Sequence, residues 1–217
     1  SSSKRDIVDQ YGLAPAQLQV VPIGVDQNRF RPRPEIARVP GRIMTTASAD
    51  VPFKGLLPLV EAVAKVRTER PEAHLVVEGK LRGESPVAAA IDRLGIRDAV
   101  TFESGVSDER MIELYAEASV AVVPSLYEGF SLPAVESMAC GVPLIATTGG
   151  ALPEVVGEDG VTGMLVPPGD PGALAQAIES VLGDPGLAAR LAANGRRRVL
   201  ERFTWQACAA ATAEHYR

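Results

Sequence analysis

The chain has 217 residues, 46% of them hydrophobic, enough to bury a sizeable core in one large or two small domains. Its formal net charge of −5 argues against a dedicated nucleic-acid or anionic-membrane binder, because such proteins neutralise phosphates with clustered Lys and Arg. Cys140 and Cys208 lie far apart and lack a Cys or His at zinc-site spacing, so both read as small apolar residues in a reducing, cytoplasmic setting.

Ser1 to Tyr11 is predicted as a short helix ending at Gly12, and QVVPIGVD, Gln19–Asp26, as a strand entering a turn at Gly24. Arg31–Pro40 holds three prolines and little apolar content, which describes a linker. From Gly41 a strand-then-helix rhythm sets in, predicting a parallel sheet of about six strands with helices on both faces. The strand candidates are Arg42–Thr46, His74–Glu78, Val100–Glu103, Val120–Pro124, Leu144–Thr147 and Met164–Val166. Leu56–Arg70 repeats apolar residues at helical spacing, Ser107 and Asp108 suit a cap for Glu109–Ala118, and Pro133–Ala139 stops at Gly141. Asp170–Pro171, Asp184–Pro185 and Thr204 then start extra C-terminal helices, a tail longer than the sheet requires. The one dense basic run, Arg196 to Arg198, reads as a solvated face of a late helix. No apolar run is long enough to span a bilayer, and no signal peptide is evident.

In an open parallel sheet, ligands bind beyond the carboxyl ends of the strands. The segments that fall there are Lys54–Gly55, Glu78–Gly79–Lys80, Gly105–Val106–Ser107, Glu128–Leu132 and Thr147–Ala151. The stretch SLYEGFSLPAVESMACGVP, Ser125–Pro143, joins the buried strand before it to a Gly-containing loop and a short helix. Unpaired N–H groups at such a helix start, with the positive end of its dipole, suit a phosphate. Glu136, one or two turns along, is placed to accept hydrogen bonds from a ribose diol. Each feature has a structural alternative. Lys54–Gly55 also reads as a solvated turn, Glu128 as a surface loop residue, Glu136 as a capping group and Gly149–Gly150 as a flexible turn. Ser131 with His74 or His215 does not make a nucleophilic triad, since no G-x-S-x-G elbow is present. G-x-G-x-x-G after the first strand and G-x-x-x-x-G-K-[ST] are both absent, so phosphates must be held another way.

EGFSLPAVE, Glu128–Glu136, with seven residues between its glutamates, resembles the E-x7-E motif of retaining glycosyltransferases with the GT-B fold. The following SMACGVPLIATTGGALPEVVGEDGVTGMLVPPGDPGALAQAI resembles the rest of their C-terminal donor-binding domain. VVPIGVDQNRF resembles the segment crossing from the acceptor domain, Lys54–Gly55 the K-G after the first strand, and LVVEG the strand whose end approaches the nucleoside. The resemblance implies a Rossmann-like doubly wound α/β domain, one half of a GT-B fold. Residues 1–40 would be the crossover from an absent N-terminal acceptor domain, and 41–217 the donor domain. Glu136 would bind ribose hydroxyls, and Glu128 would face the donor sugar near the reacting centre. Lys54 would neutralise the diphosphate, while Gly129, Phe130, Ser131 and Leu132 hold the distal phosphate and sugar through backbone N–H groups. Gly79, Gly105, Val106 and Ser107 would approach the nucleoside. The donor would be a UDP-, GDP- or ADP-sugar, with no metal required and no nucleic-acid partner; peripheral membrane association of a full-length protein is compatible.

Two departures from the family's pattern stand out. The G-R-L-like element expected after the first strand is replaced by TTASADVPFKG, which has no Arg, leaving Lys54 with backbone donors alone or with Lys80 or Arg82 in the missing place. The acceptor domain is also missing, so the chain alone is expected to bind a donor without transferring it. The alternatives are a non-catalytic nucleotide- or sugar-binding module and, ranked last, a sugar-nucleotide epimerase.

Overall fold

The computed structural model describes residues 1–47, 51–81 and 83–216. Six strands, β1 Arg42–Thr46, β2 His74–Glu78, β3 Val100–Glu103, β4 Val120–Val123, β5 Leu144–Thr147 and β6 Met164–Val166, form one sheet in the order β3-β2-β1-β4-β5-β6. Every pairing is parallel. Five strands keep their predicted bounds; β4 stops at Val123, since Pro124 has no N–H to offer a ladder.

Alternation along the strands sends Ile43, Leu75, Val77, Val120, Val122 and Ile145 to one face and Met44, Val76, Ala121, Val123, Leu144 and Ala146 to the other. Helices α2 Leu56–Glu69, α3 Pro86–Leu94 and α7 Pro171–Gly183 cover the first face, with Leu59, Val60, Val63 and Val66 of α2 fully buried. Helices α4 Asp108–Glu117, α5 Leu132–Ala139 and α6 Leu152–Val156 cover the second. A doubly wound sheet results, with β4 and β5 buried along their whole length. The sequence reading names no helix at α3, although Ser85 caps it by accepting from the Ala88 N–H at 3.1 Å and Pro86 starts it.

The tail forms α7, α8 Pro185–Arg202 and α9 Trp205–Glu214. Their predicted caps are in place: Asp170 accepts from Gly172 and Ala173, Asp184 from Leu187, and Thr204 from Ala207. The tail packs on the domain's own flank, with α8 running from Leu191 on the first face to Val199 on the second. The basic run on α8 is not a solvated face. Arg196 donates to the Ala139 carbonyl, and Arg198 donates to Val155 O at 2.8 Å and Glu154 O at 2.7 Å. Two of its three guanidiniums therefore satisfy carbonyls that α5 and α6 leave unpaired at their ends.

Helix α1 Ser2–Tyr11 ends at Gly12 as predicted. Gln19–Asp26 is not a strand. It crosses the α8–α9 junction, where only Val25 finds an extended partner, bridging Thr204 and donating to Phe203 O at 2.8 Å. Residues 31–40 lack helix and strand, and are tied down where Val39 donates to Glu117 O at 2.8 Å. Among the described residues no helix is long and apolar enough to cross a membrane.

Candidate functional site

The strand order reverses between β1 and β4, whose following loops therefore diverge and open a crevice at the carboxyl edge of the sheet. The loop after β4 is held from both sides through main-chain atoms. On the β1 side, the Leu126 N–H donates to Phe53 O at 2.7 Å. Gly55, at φ +69°, lies so close that a Cβ there would stand 1.9 Å from the Pro124 carbonyl oxygen. On the β5 side, Ala151 N–H donates to Glu128 O at 2.7 Å, and Thr147 Oγ1 donates to Ser125 O. A Cβ on Gly149 would lie 2.4 Å from Leu126 O, and one on Gly150, at φ +62°, 2.3 Å from Glu128 O. Only glycine fits such approaches, so Lys54–Gly55 and Gly149–Gly150 are more than flexible turns.

This clamp fixes Glu128. Its Oε1 accepts from Lys54 Nζ at 2.7 Å and from the buried Ser125 hydroxyl at 2.7 Å. Lys54 ends a single 3-10 turn, Pro52–Lys54, so its ammonium is delivered across the β1–β4 crevice. The Glu128 side chain is only 14% exposed, and a carboxylate so enclosed needs such partners.

Three residues on, Ser131 caps α5 by accepting from the Ala134 N–H at 3.4 Å. Leu132 is the first helical residue, and Pro133 therefore takes the second position rather than the first. Among the described residues the N–H groups of Gly129, Phe130, Ser131 and Leu132 have no protein acceptor. They lie at the start of α5, where the positive end of its dipole adds to them, an arrangement that favours an anion. Phe130 is anchored edge-on to Phe203, ring centroids 5.8 Å apart. A cavity of about 640 Å³ opens beside Gly129 and Phe130, walled also by Lys4 and Ile7 of α1, Val20 to Ile23 and Arg198. That is a volume suited to a small ligand.

Glu136 lies one turn into α5, partly buried, with Oε2 accepting from the Tyr115 hydroxyl of α4 at 3.2 Å. Burial raises its carboxyl above the ordinary value; the Tyr115 hydrogen bond opposes this, while Asp108 and Glu78 add to it. Glu136 is thus a half-buried carboxyl with no Lys or Arg partner among the described residues, held by Tyr115 rather than serving as a helix cap. Gly79, at the end of β2, donates to Glu103 O at 2.7 Å. Gly105, Val106 and Ser107 follow β3, with the Ser107 hydroxyl capping α4 by accepting from the Arg110 N–H at 3.2 Å. These four share the carboxyl edge with Lys54 and Glu136, but of the residues in the predicted carboxyl-edge segments Gly129, Phe130 and Ala151 line the large cavity. Lys80 is exposed after β2; Arg82, the other predicted substitute cation, lies outside the described residues, as do residues 48–50 of the loop after β1. His74 starts β2 at the opposite edge and bonds Thr101 Oγ1 at 2.8 Å, away from Ser131.

Sequence reading misses Tyr115, and names Ser125 and Thr147 only as the first residues of segments, with no partner for either hydroxyl. Ser125 stands three residues before Glu128 and could have been found as a turn hydroxyl, whereas Tyr115 is 21 residues from Glu136 and meets it only through α4–α5 packing.

Comparison with known proteins gives a consistent result. The description "Glycosyl transferases group 1" matches residues 30–198. The chain is 49% identical over 216 residues to an MMP alpha-(1->4)-mannosyltransferase of Mycolicibacterium hassiacum, covering all of this chain and 52% of that one. It is 35% identical to a D-inositol 3-phosphate glycosyltransferase of Streptomyces bingchenggensis, covering 97% and 50%. Among solved structures, sucrose-phosphate synthase from Thermosynechococcus elongatus superposes with a TM-score of 0.84 at 31% identity, over all of this chain and 56% of that one. Anabaena HepE in complex with UDP superposes with 0.86 at 25% identity, over 98% and 60%. The chain spans about half the length of the curated relatives it matches. With a doubly wound sheet shared with GT-B glycosyltransferases and a family match across most of its length, the chain belongs to the group 1 glycosyl transferases.

Proposed function

We propose that this chain is the donor-binding half of a retaining glycosyltransferase, which takes a hexosyl group from a nucleoside diphosphate sugar. The observation that carries the reading is the Lys54–Glu128–Ser125 cluster at the β1–β4 crevice, adjoining the unpaired N–H groups of Gly129 to Leu132. The diphosphate lies against Lys54 and the α5 N-terminus. Negative charge developing on it as the sugar departs is stabilised by a fixed cation and aligned N–H dipoles, so the reading requires no metal. Glu128 faces the sugar, Glu136 takes the ribose diol, and Gly79 with Gly105 to Ser107 borders the base. HepE, solved with UDP and with UDP-glucose, supports a nucleotide-sugar donor, and the 49% identical mannosyltransferase makes mannose the first sugar to try.

A second unit completes the acceptor side, in keeping with relatives about twice as long, and the isolated chain binds without turning over. Calorimetric titration of UDP, GDP and ADP tests the donor reading. At least one should bind; absence of heat from all three at millimolar concentration, in a demonstrably folded sample, would sink it.

A further inference from the structure

Glu136 sits on a short helix, and its three side-chain torsions would otherwise let the carboxylate swing towards water, because ionised burial is unfavourable. What it meets instead is Tyr115, only 2% exposed and among the largest fully buried side chains of the domain's second core. Packing leaves that ring little freedom, so its hydroxyl is a fixed point. The phenol has one proton to donate; Glu136 Oε2 lies at 3.2 Å and the competing Pro133 carbonyl at 3.5 Å. A buried tyrosine hydroxyl requires a partner, and a carboxylate makes the stronger bond. Beside it, the Thr46 hydroxyl at the end of β1 is buried, has no well-formed hydrogen bond among the described residues, and approaches the phenol oxygen as a weaker second contact. Tyr115 is therefore the donor that engages Glu136 here, and no Lys or Arg among the described residues forms an ion pair with that carboxylate.

We propose that Tyr115 is a positioning residue for Glu136: by holding Oε2 through its hydroxyl, it orients the carboxylate so that the other oxygen meets a ribose diol. This rests on the donor-binding reading, specifically on Glu136 as the ribose anchor. It assigns the selection of ribonucleotide over deoxyribonucleotide jointly to α4 and α5 rather than to the glutamate alone. The groups facing Glu136 are Tyr115 and Asp108 of α4, Glu78 of β2 and Cys140. Burial, Asp108 and Glu78 disfavour a negative charge there, Cys140 is a neutral thiol, and Tyr115 alone favours it, so loss of the phenol shifts the loss of ribonucleotide affinity to higher pH.

The test titrates the full chain with UDP, GDP and ADP, each beside its 2′,3′-dideoxy form. Glu136→Ala should weaken the ribonucleotide that binds by about ten-fold or more and leave its dideoxy form unchanged. Tyr115→Phe should weaken the ribonucleotide alone by about three- to ten-fold, and have no further effect in the Glu136→Ala background. If Glu136→Ala is selective but Tyr115→Phe is neutral, or weakens both forms equally, the positioning role is overturned while the donor reading stands. If Glu136→Ala does not discriminate the two forms, the ribose anchor fails and the proposal with it. Should Tyr115→Phe fold poorly, 3-fluorotyrosine placed at position 115 keeps the ring and makes the phenol a stronger donor. It should move the acid limb of ribonucleotide binding to lower pH, and an unmoved limb overturns the proposal.

Discussion

Lys54 Nζ and Glu128 Oε1 stand 2.7 Å apart across the β1–β4 crevice, so the cation proposed for the diphosphate and the carboxylate proposed for the sugar form one ion pair. Neither can be removed without disturbing the other. Lys54→Ala should weaken binding of the nucleoside diphosphate by about ten-fold or more, the scale of one charge-assisted hydrogen bond, and leave the corresponding nucleoside unaffected. Calorimetry with UDP against uridine, or GDP against guanosine, checks this. In denaturant unfolding, Lys54→Ala should also cost about 1–3 kcal/mol by leaving an enclosed carboxylate unpaired, and Lys54→Ala with Glu128→Ala should cost less than the two separately.

Glu136 gives the site a pH dependence of definite sign. Its carboxyl is raised chiefly by burial, with the Tyr115 bond opposing and Asp108 and Glu78 adding. If the ionised form binds the diol, nucleotide affinity falls with acidification at a higher pH than an exposed glutamate, near about 4.3, would set. Stability runs the other way. A carboxyl raised in the folded state contributes stability that is complete below its unfolded value and lost as pH rises through its folded one. Glu136→Gln should therefore melt about 2–4 °C higher than the parent at neutral pH, the shift that about 1 kcal/mol produces in a domain of this size, and the gain should vanish in acid. Thermal melts at both pH values decide it.

Glycine substitutions separate backbone strain from collision. At Gly12, φ is +65° and nothing lies within 4 Å of an added Cβ, so Gly12→Ala should cost only about 1 kcal/mol of left-handed strain. At Gly55, with a nearly identical φ of +69°, the added carbon meets the Pro124 carbonyl oxygen at 1.9 Å. Gly55→Ala should cost about 3 kcal/mol or more, and should weaken nucleotide binding because Lys54 is displaced with it. Equal losses for the two variants would contradict the clamp.

Cys140 is buried in the second core, and its thiol is pushed up to about 12, chiefly by burial. Cys208 on α9 is only half-buried. A thiol reagent should titrate one sulfhydryl per native chain near neutral pH and two after denaturation.

The fold was legible where burial dictates composition. Strands covered on both faces leave runs such as VAVV and LIAT, and the Asp-Pro pairs at 170 and 184 announce helix starts by local chemistry. QVVPIGVD carries a strand's composition without a strand's neighbour, which no local signal reveals. Arg196 and Arg198 read as solvent-facing because carbonyl ends at Ala139, Glu154 and Val155 are invisible until α8 packs on α5 and α6. For the site, sequence supplied the loops but not the pairings. Lys54 and Glu128 are 74 residues apart and meet because β1 and β4 are neighbours, while Tyr115 reaches Glu136 through helix packing.

Because Gly55 on one flank and Gly149 with Gly150 on the other grip the Pro124–Glu128 backbone itself, the shape of that loop is decoupled from the side chains it displays. Leu126 and Tyr127 remain exposed on it. These two positions are open to randomisation in a selection library, where the frame survives and only the surface the loop displays is rewritten.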